Sequence, residues 1–237
     1  MDPNLNNSCE SGKFDSQYSV LSDLSILKYI ENKKIIIQPF NRKQLNTSSY
    51  DVTLGSFFYR EQKISDMNNY YNIYDKEMVN KVWGQYQKAK SYSILKNKFG
   101  LKFKNIKDDD EIILLKPGET ILGHTIEFIG GVQSVTSMMK ARSSFGRNFI
   151  NVCSCAGWGD CGYYNRWTME IKNNSQHYVI PLVVGRPIAQ IIFIETDGII
   201  NKSYNKNGKY QSESNIKDLI KNWSPIQMLP KLYKEIY

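Results

Sequence analysis

The sequence predicts a mainly β fold of jelly-roll or barrel type, with short helices and one surface insertion. From residue 111 onward, short β-branched and aromatic segments recur at regular spacing, separated by Gly, Pro and Asn turn signals. At 237 residues, 41% of them hydrophobic, the chain is long enough for one well-buried core. Many short, evenly spaced strands are typical of all-β barrels and jelly rolls.

The first predicted element is a short helix. Ser22 can cap it, and apolar residues then recur at helical spacing at Leu24, Leu27 and Ile30. The β-branched run 35–37 predicts the first strand.

The next segments differ in composition. Residues 50–59 are aromatic and β-branched and predict a second strand, whereas residues 61–107 are rich in Lys, Asn and Tyr and predict a surface insertion with one helix around Lys76–Trp83. Further strands are predicted at 112–115, 120–128, 132–139, 149–152, 167–172, 179–184 and 188–194. The strand rhythm then ends, and a short helix is predicted over 215–221.

These elements suggest one domain with appendages. We expect a flexible N-terminal tail at 1–18, a β domain at 19–200 that contains the insertion, and a C-terminal lid or tail at 201–237. No apolar stretch approaches the roughly 20 residues that a membrane helix needs. The polar N-terminus has no signal-peptide pattern, which favours a cytoplasmic or other intracellular location.

The charge balance favours an anionic partner. Lys and Arg outnumber Asp and Glu by 31 to 23, which gives a net charge of +8. No basic run is interleaved with aromatic residues in a base-stacking pattern, so we expect no nucleic-acid partner. A phosphorylated metabolite fits this charge equally well.

Two segments carry side chains suited to nucleotide chemistry. Arg142-Ser143-Ser144 offers a planar cation and two hydroxyls where a turn or short helix begins, and these donors suit a triphosphate. A capped helix with a solvated Arg is the alternative interpretation of the same three residues. Glu170 lies in an apolar strand, where burial would raise its pKa and suit it to proton transfer near neutral pH. An exposed, outward-pointing strand Glu is the alternative.

The sequence does not favour zinc. Zinc deaminases carry His-x-Glu and Pro-Cys-x-x-Cys ligand motifs, and the sequence contains neither. Its two histidines, His124 and His177, lie in predicted strands or at their edges, and the spacing of Cys153 and Cys155 is too tight for the usual zinc clamp. We expect reduced cysteines and no zinc.

The order and spacing of several motifs resemble the dCTP deaminase family of the trimeric dUTPase superfamily. The resemblance rests on Arg142-Ser143-Ser144 with Arg147, on Asp160-Cys161-Gly162-Tyr163, on Glu170, and on segments 21–23, 38–40, 49–55, 115–119 and 185–190. It implies a dUTPase-like distorted jelly roll. It also implies a homotrimer in which subunits share each active site across their interfaces.

The resemblance assigns roles to individual residues. It implies that Glu170 activates water for attack on cytosine C4, that Arg147 holds the Ala156 carbonyl in place, and that Asp160 and Tyr163 select the deoxyribose. The predicted catalytic residues are Glu170, Arg147, Ser143 and Ala156. The predicted substrate-binding residues are Arg142, Ser143, Ser144, Trp158, Asp160, Tyr163, Gln190, Lys209 and Tyr210.

The implied reaction is deamination of dCTP to dUTP and ammonia. Ala156-Gly157-Trp158 resembles the branch of the family that also hydrolyses the product to dUMP and pyrophosphate, and the implied Mg²⁺ is held by substrate phosphates, with no direct protein ligand. We expect dCTP as substrate, with dUTP and dTTP as further ligands. Two alternatives stay open: a plain dUTPase, in which an aliphatic residue normally occupies the Glu170 position, and a catalytically silent nucleotide-binding or protein-interaction homologue.

Overall fold

A computed structural model of the chain describes residues 20–65, 69–199, 204, 208–211, 213 and 215–235. The predicted tail at 1–18 lies outside these residues. The helices are α1 (Asp23–Glu31), α2 (Lys76–Trp83), α3 (Tyr92–Phe99), α4 (Ser143–Gly146) and α5 (Ile216–Asn222). The strands are β1 (Ile35–Gln38), β2 (Tyr50–Thr53), β3 (Phe57–Arg60), β4 (Gln87–Lys88), β5 (Lys90–Ser91), β6 (Glu111–Leu115), β7 (Thr120–Gly131), β8 (Val135–Ala141), β9 (Ile150–Val152), β10 (Trp158–Gly159), β11 (Tyr164–Asn173), β12 (Ile180–Val183) and β13 (Pro187–Glu195).

The prediction of a mainly β fold is confirmed. A six-stranded sheet has the order β4-β3-β7-β11-β9, with β1 paired to β7, and a four-stranded sheet has the order β10-β8-β13-β2. A third sheet, β12-β6-β5, completes the pairing, and these sheets do not close into a barrel within the part of the chain that the structure describes. Apolar side chains of the strands, Met139, Ile171 and Phe193 among them, form the main core.

The long strand β7 organises the larger sheet. It pairs with β11 along one edge, while β3 and β1 share its other edge through Tyr59↔Leu122 and Ile37↔Ile129. Its register with β11 shifts between Arg166 and Thr168, where the backbone N–H of Trp167 donates to the Thr125 hydroxyl over 2.9 Å. A β-bulge of this kind bends the strand and redirects its side chains.

The single strand predicted over 50–59 is in fact two strands, β2 and β3, in two different sheets. Between them Leu54 forms an isolated bridge to Thr125, and the Gly55 N–H donates to the His124 carbonyl over 2.7 Å. At Gly55, a Cβ would lie 2.0 Å from the His124 ring, so only glycine allows this approach. The contact between Gly55 and His124 fixes the change of sheet, and the sequence of residues 50–59 alone does not predict this contact.

The predicted insertion contains more structure than its composition indicates. Helix α2 spans the predicted residues, begins at an Asp75 cap and ends at Gly84. Helix α3 was not predicted. Its buried residues, Tyr92 and Leu95, form a small cluster with Ile112 of β6, so the insertion packs onto the third sheet.

Two helices agree closely with their predictions. The Ser22 hydroxyl caps α1 by accepting from the Ser25 N–H over 3.3 Å, but the fully buried side chain is Ile26, and Leu24 is exposed. Helix α5 begins after the Asn215 cap, one residue later than predicted, and buries Leu219. The short 3-10 helix Pro225–Met228 follows it, and Met228 and Leu229 pack on Tyr59 and Leu122.

Substituting Gly55 tests the close approach to His124. The His124 ring packs against Phe57 and Trp223 and both its nitrogens contact backbone atoms, so it has little freedom to move away from a new methyl group. We expect Gly55→Ala to lower the free energy of unfolding by about 1–3 kcal/mol, measured by urea denaturation. Gly146→Ala, where nothing lies within 4 Å of the added Cβ, is the control and should leave stability nearly unchanged.

Candidate functional site

A cavity of about 350 Å³ lies between the β10–β11 region and the C-terminal segment. Six of the predicted site residues line it: Ala156, Trp158, Asp160, Tyr163, Glu170 and Tyr210. The other lining residues are Leu122, Asn165, Arg166, Trp167, Thr168, Tyr204, Trp223, Gln227, Met228 and Pro230. This cavity is the candidate active site because it unites the segments that carry the sequence motifs.

Strand β11 supplies one wall. Arg166, Thr168 and Glu170 are partly buried and alternate with the buried Trp167, Met169 and Ile171. Successive side chains of a strand point to opposite faces, so the first three share the cavity face while the other three belong to the core. Of these core residues, Trp167 also contributes to the cavity lining. The prediction of an apolar strand around Glu170 is therefore correct, and this Glu is neither fully buried nor fully exposed.

The electrostatic state of Glu170 suits proton transfer. Burial raises the pKa of its carboxyl group, because the charged form loses solvation. Hydrogen bonds to its own backbone and from the Cys153 thiol partly offset this rise in pKa. A carboxyl group in this setting can exchange a proton at a pH closer to neutral than an exposed Glu.

Cys153 is a site-adjacent residue that the sequence analysis did not single out for this role. It is buried with a positive φ of 48°, and its N–H donates to the Glu170 carbonyl over 3.1 Å. Burial, followed by the nearby Glu170 carboxylate, raises the pKa of the Cys153 thiol to about 12. It is therefore a protonated donor beside the carboxylate and not a nucleophile.

The predicted turn before β11 is present. The Tyr163 N–H donates to the Asp160 carbonyl over 2.9 Å, and Gly162 adopts a positive φ of 92°. The Tyr163 ring packs edge-on against Trp167 at 5.3 Å and against Tyr204 at 5.2 Å. Asp160 is exposed and lines the cavity, so the turn places a carboxyl group beside a firmly held aromatic ring.

The predicted phosphate-binding segment lies elsewhere in this single chain. Helix α4 contains only the four residues Ser143–Gly146, and Ser143, Ser144 and Arg147 are exposed. Arg142 forms an ion pair with Asp51, with 3.4 Å between Nε and Oδ2. None of these predicted residues is among the residues found to line the cavity, so their roles stay predictions.

Of the three remaining predicted substrate-binding residues, one lines the cavity and two do not. Tyr210 lines the cavity and donates its N–H to the Tyr204 hydroxyl over 3.3 Å. Lys209 instead forms an ion pair with Glu235, which raises the pKa of the Lys209 ammonium. Gln190 lies on β13 opposite Asp51, away from the cavity lining.

The His124 ring is held by backbone atoms at both of its nitrogens. The Nδ1 of His124 contacts the Thr125 carbonyl at 2.8 Å, and its Nε2 accepts from the Phe57 N–H over 3.2 Å. Burial lowers the pKa of His124 to about 4, so the ring is neutral. Within the described ranges, no group of three or more His, Cys, Asp or Glu side chains could hold a metal ion, and no helix is long and apolar enough to cross a membrane.

Comparison with known proteins identifies the family. The profile of the dCTP deaminase-like family matches residues 20–196. The chain belongs to this family. Helix α5 and the 3-10 helix beyond it lie outside the matched segment, so part of the cavity wall comes from residues that the family profile does not cover.

Individual relatives support the assignment. A Hydrogenobaculum protein named dCTP deaminase, dUMP-forming, is 31% identical over 182 residues, which cover 76% of this chain and 84% of the relative. A Methanococcus aeolicus protein of the same name is 29% identical over 205 residues, covering 83% and 94%. The 2'-deoxycytidine 5'-triphosphate deaminase of Agrobacterium tumefaciens has the same fold, with a TM-score of 0.52 at 17% identity, over 81% of this chain and 54% of that one.

The raised pKa of Glu170 predicts a pH dependence. Glu170 binds its proton more tightly in the folded than in the unfolded chain, so its contribution to stability falls as pH rises from the unfolded pKa, near 4.3, through the folded value. We therefore expect the free energy of unfolding of Glu170→Gln, relative to the unsubstituted protein, to increase between about pH 4 and pH 8. Urea denaturation at several pH values measures it.

The exposed Glu61 offers a matched control for that experiment. The difference between Glu61→Gln and the unsubstituted protein should vary less with pH. An equally flat profile for Glu170→Gln would contradict the raised pKa.

Proposed function

We propose that this chain converts dCTP to dUMP by hydrolytic deamination, without zinc, followed by hydrolysis of the triphosphate. The observation that carries the proposal is the cavity in which Glu170 of β11 faces the Asp160–Tyr163 turn, in a member of the dCTP deaminase-like family. The relatives named dCTP deaminase, dUMP-forming, support both steps.

In the first step, Glu170 is the proton carrier. Its carboxylate accepts a proton from water as the water oxygen bonds to cytosine C4, and the resulting carboxylic acid delivers that proton to the ring nitrogen N3. The carboxylate then takes the proton of the new C4 hydroxyl and passes it to the amino group, so that the C4=O bond forms as ammonia leaves. The C4–N bond breaks, giving dUTP and ammonia from dCTP and water. The raised pKa of Glu170 suits both halves of this exchange.

The Asp160–Tyr163 turn would recognise the sugar. The exposed Asp160 carboxylate can accept a hydrogen bond from the 3'-hydroxyl, and the Tyr163 ring, braced by two neighbouring aromatic rings, can pack against the deoxyribose and exclude a 2'-hydroxyl. In the second step, Asp160 would orient a water molecule toward the α-phosphate, so that the bond to the β-phosphate breaks and dUMP and pyrophosphate form.

The substrate would enter as its Mg²⁺ complex. Magnesium is commonly held by substrate phosphates, water and one or two carboxylates, and the described residues offer no larger ligand cluster. The bound ion would neutralise part of the phosphate charge. The protein residues would then bind and orient the nucleotide.

A second copy of the chain would complete the site. The cavity has two carboxylates, and Arg166 is the one cation among the described residues that line it, which is too little positive charge for a triphosphate. Arg142, Ser143, Ser144 and Arg147 lie together outside the cavity and would come from a neighbouring subunit. A homotrimer, which the family resemblance implies, would arrange three such sites.

A product assay tests the proposed function. EDTA-washed protein is incubated with dCTP and Mg²⁺, and ammonia, dUTP, dUMP and pyrophosphate are followed over time. We expect equal amounts of ammonia, dUMP and pyrophosphate. Turnover of dUTP alone would identify a plain dUTPase, binding without turnover would identify a silent homologue, and strict dependence on added zinc would contradict the mechanism.

Two isosteric substitutions separate the steps. Glu170→Gln should lower ammonia release by at least about a hundredfold while dCTP binding is retained, because it removes the proton carrier but keeps the shape. Asp160→Asn should still release ammonia but should form dUMP more slowly, so that dUTP accumulates. Ammonia release by Glu170→Gln at the unsubstituted rate would exclude Glu170 as the proton carrier.

A further inference from the structure

Arg166 is a cavity residue for which the sequence motifs provide no role. It shares the cavity face of β11 with Thr168 and Glu170 and is partly buried. Burial lowers the pKa of its guanidinium group, but an arginine remains charged in proteins. A partly desolvated cation in an active-site cavity requires a compensating partner.

Two aromatic rings fix the position of the guanidinium group. Its Cζ atom lies 4.5 Å from the centre of the Trp223 ring and 5.0 Å from that of Phe128. Trp223 is itself braced by the His124 ring at 4.7 Å. Cation–π contacts of this kind leave N–H donors of the guanidinium group available to a ligand.

The donors of Arg166 are poorly satisfied by the protein. Its Nε is buried and has no hydrogen-bond partner among the described residues, and none of the ion pairs found between those residues includes Arg166. The buried Glu127 carboxylate raises the pKa of Arg166 by its charge, but its oxygens already accept hydrogen bonds from the Thr53 N–H, the Thr53 hydroxyl and the Gln44 side-chain amide. The cation is therefore open to an anionic ligand.

The order of residues along β11 indicates which part of a nucleotide reaches Arg166. Glu170, proposed to act on the base, lies four residues further along the strand, roughly 13 Å at the usual rise, less the shortening at the bulge. The Asp160–Tyr163 turn, proposed to hold the sugar, leads directly into the Arg166 end of the strand. A nucleotide with its base at Glu170 and its sugar at the turn thus directs its phosphates away from Glu170, toward Arg166.

We propose that Arg166, held in contact with the Phe128 and Trp223 rings, binds a phosphate group of the nucleotide and makes the cavity selective for the phosphorylated substrate over the free nucleoside. This inference rests on the proposed function. It adds that one part of the cavity is specific for phosphate, because the N–H donors along the edge of a planar guanidinium group match a pair of phosphate oxygens.

Ligand binding with and without the phosphates tests the proposal. Calorimetric titrations compare the binding of dCTP, deoxycytidine and inorganic tripolyphosphate to full-length Glu170→Gln protein, in which deamination is slowed. The same titrations are repeated on the double variant that also carries Arg166→Gln. We expect Arg166→Gln to weaken dCTP and tripolyphosphate binding by about tenfold or more, the usual effect of losing a hydrogen-bonded charge, and to change deoxycytidine binding less than about twofold. Arg166→Lys, which keeps the charge but loses the planar edge, should be intermediate.

Lys172 provides the matched control. It is an exposed cation on the same strand, two residues beyond Glu170 and outside the cavity lining, so Lys172→Gln removes the same charge from the same element. It should leave all three affinities nearly unchanged. Thermal unfolding of each variant checks that the fold is retained.

Each contrary outcome has a distinct meaning. If Arg166→Gln weakened deoxycytidine binding as much as dCTP binding, Arg166 would be a structural support of the base and sugar end of the cavity. If Arg166→Gln did not weaken tripolyphosphate binding, or if Lys172→Gln weakened it equally, a specific phosphate contact would be excluded. Absence of ammonia in the product assay, with the Arg166-dependent tripolyphosphate affinity intact, would overturn the proposed function but not the phosphate site.

Discussion

The antiparallel pairing of β7 with β11 is the constraint on which the rest of the site depends. The register extends from Tyr164↔Gly130 to Lys172↔Thr120, with a shift at the bulge. It commits alternate β11 side chains to the core, where the Trp167 indole N–H also donates to the Ile129 carbonyl over 2.9 Å. The cavity face of the strand is thereby fixed. A slip of one residue would exchange the two faces and bury Glu170 in the core.

The chemistry of the cavity follows from its unequal exposure to water. Glu170 is buried enough for its pKa to rise, whereas Asp160 is exposed at a turn, where its side-chain oxygens are accessible to hydrogen-bond donors of a ligand. Two carboxyl groups of the same kind can therefore have different tasks because the fold gives them different environments. The Cys153 thiol, held protonated by burial, adds a donor that limits how far the Glu170 pKa rises.

Much of this arrangement could be predicted from local sequence. The Ser22 cap, the helix near 215–221, the short strands after residue 111 and the turn at Asp160 each have a nearby sequence signal, and the structure contains all of them. Contacts between distant segments have no such signal. The separation of β2 from β3 depends on the His124 ring, and helix α3 is stabilised by packing on β6.

In the candidate site, too, local features could be predicted from the sequence and contacts between distant segments could not. Alternation backward from Glu170 would have pointed to Thr168 and Arg166, whereas nothing near Trp223 indicates that its ring stacks on Arg166. The segment at 142–147 was assigned to the same site by resemblance, and a single chain does not bring it to the cavity. In the proposed trimer this segment would reach the cavity from a second subunit, and the order of residues in one chain does not predict such a contact.

The position of Trp223 has an evolutionary consequence. The residues that perform the proposed chemistry, in β11 and the turn before it, lie within 20–196, whereas Trp223 belongs to a segment outside the family match. Mutations in that segment can reshape one wall of the cavity while the catalytic framework is inherited intact. Substrate preference and catalytic competence are therefore free to diversify at different rates in descendants of this chain.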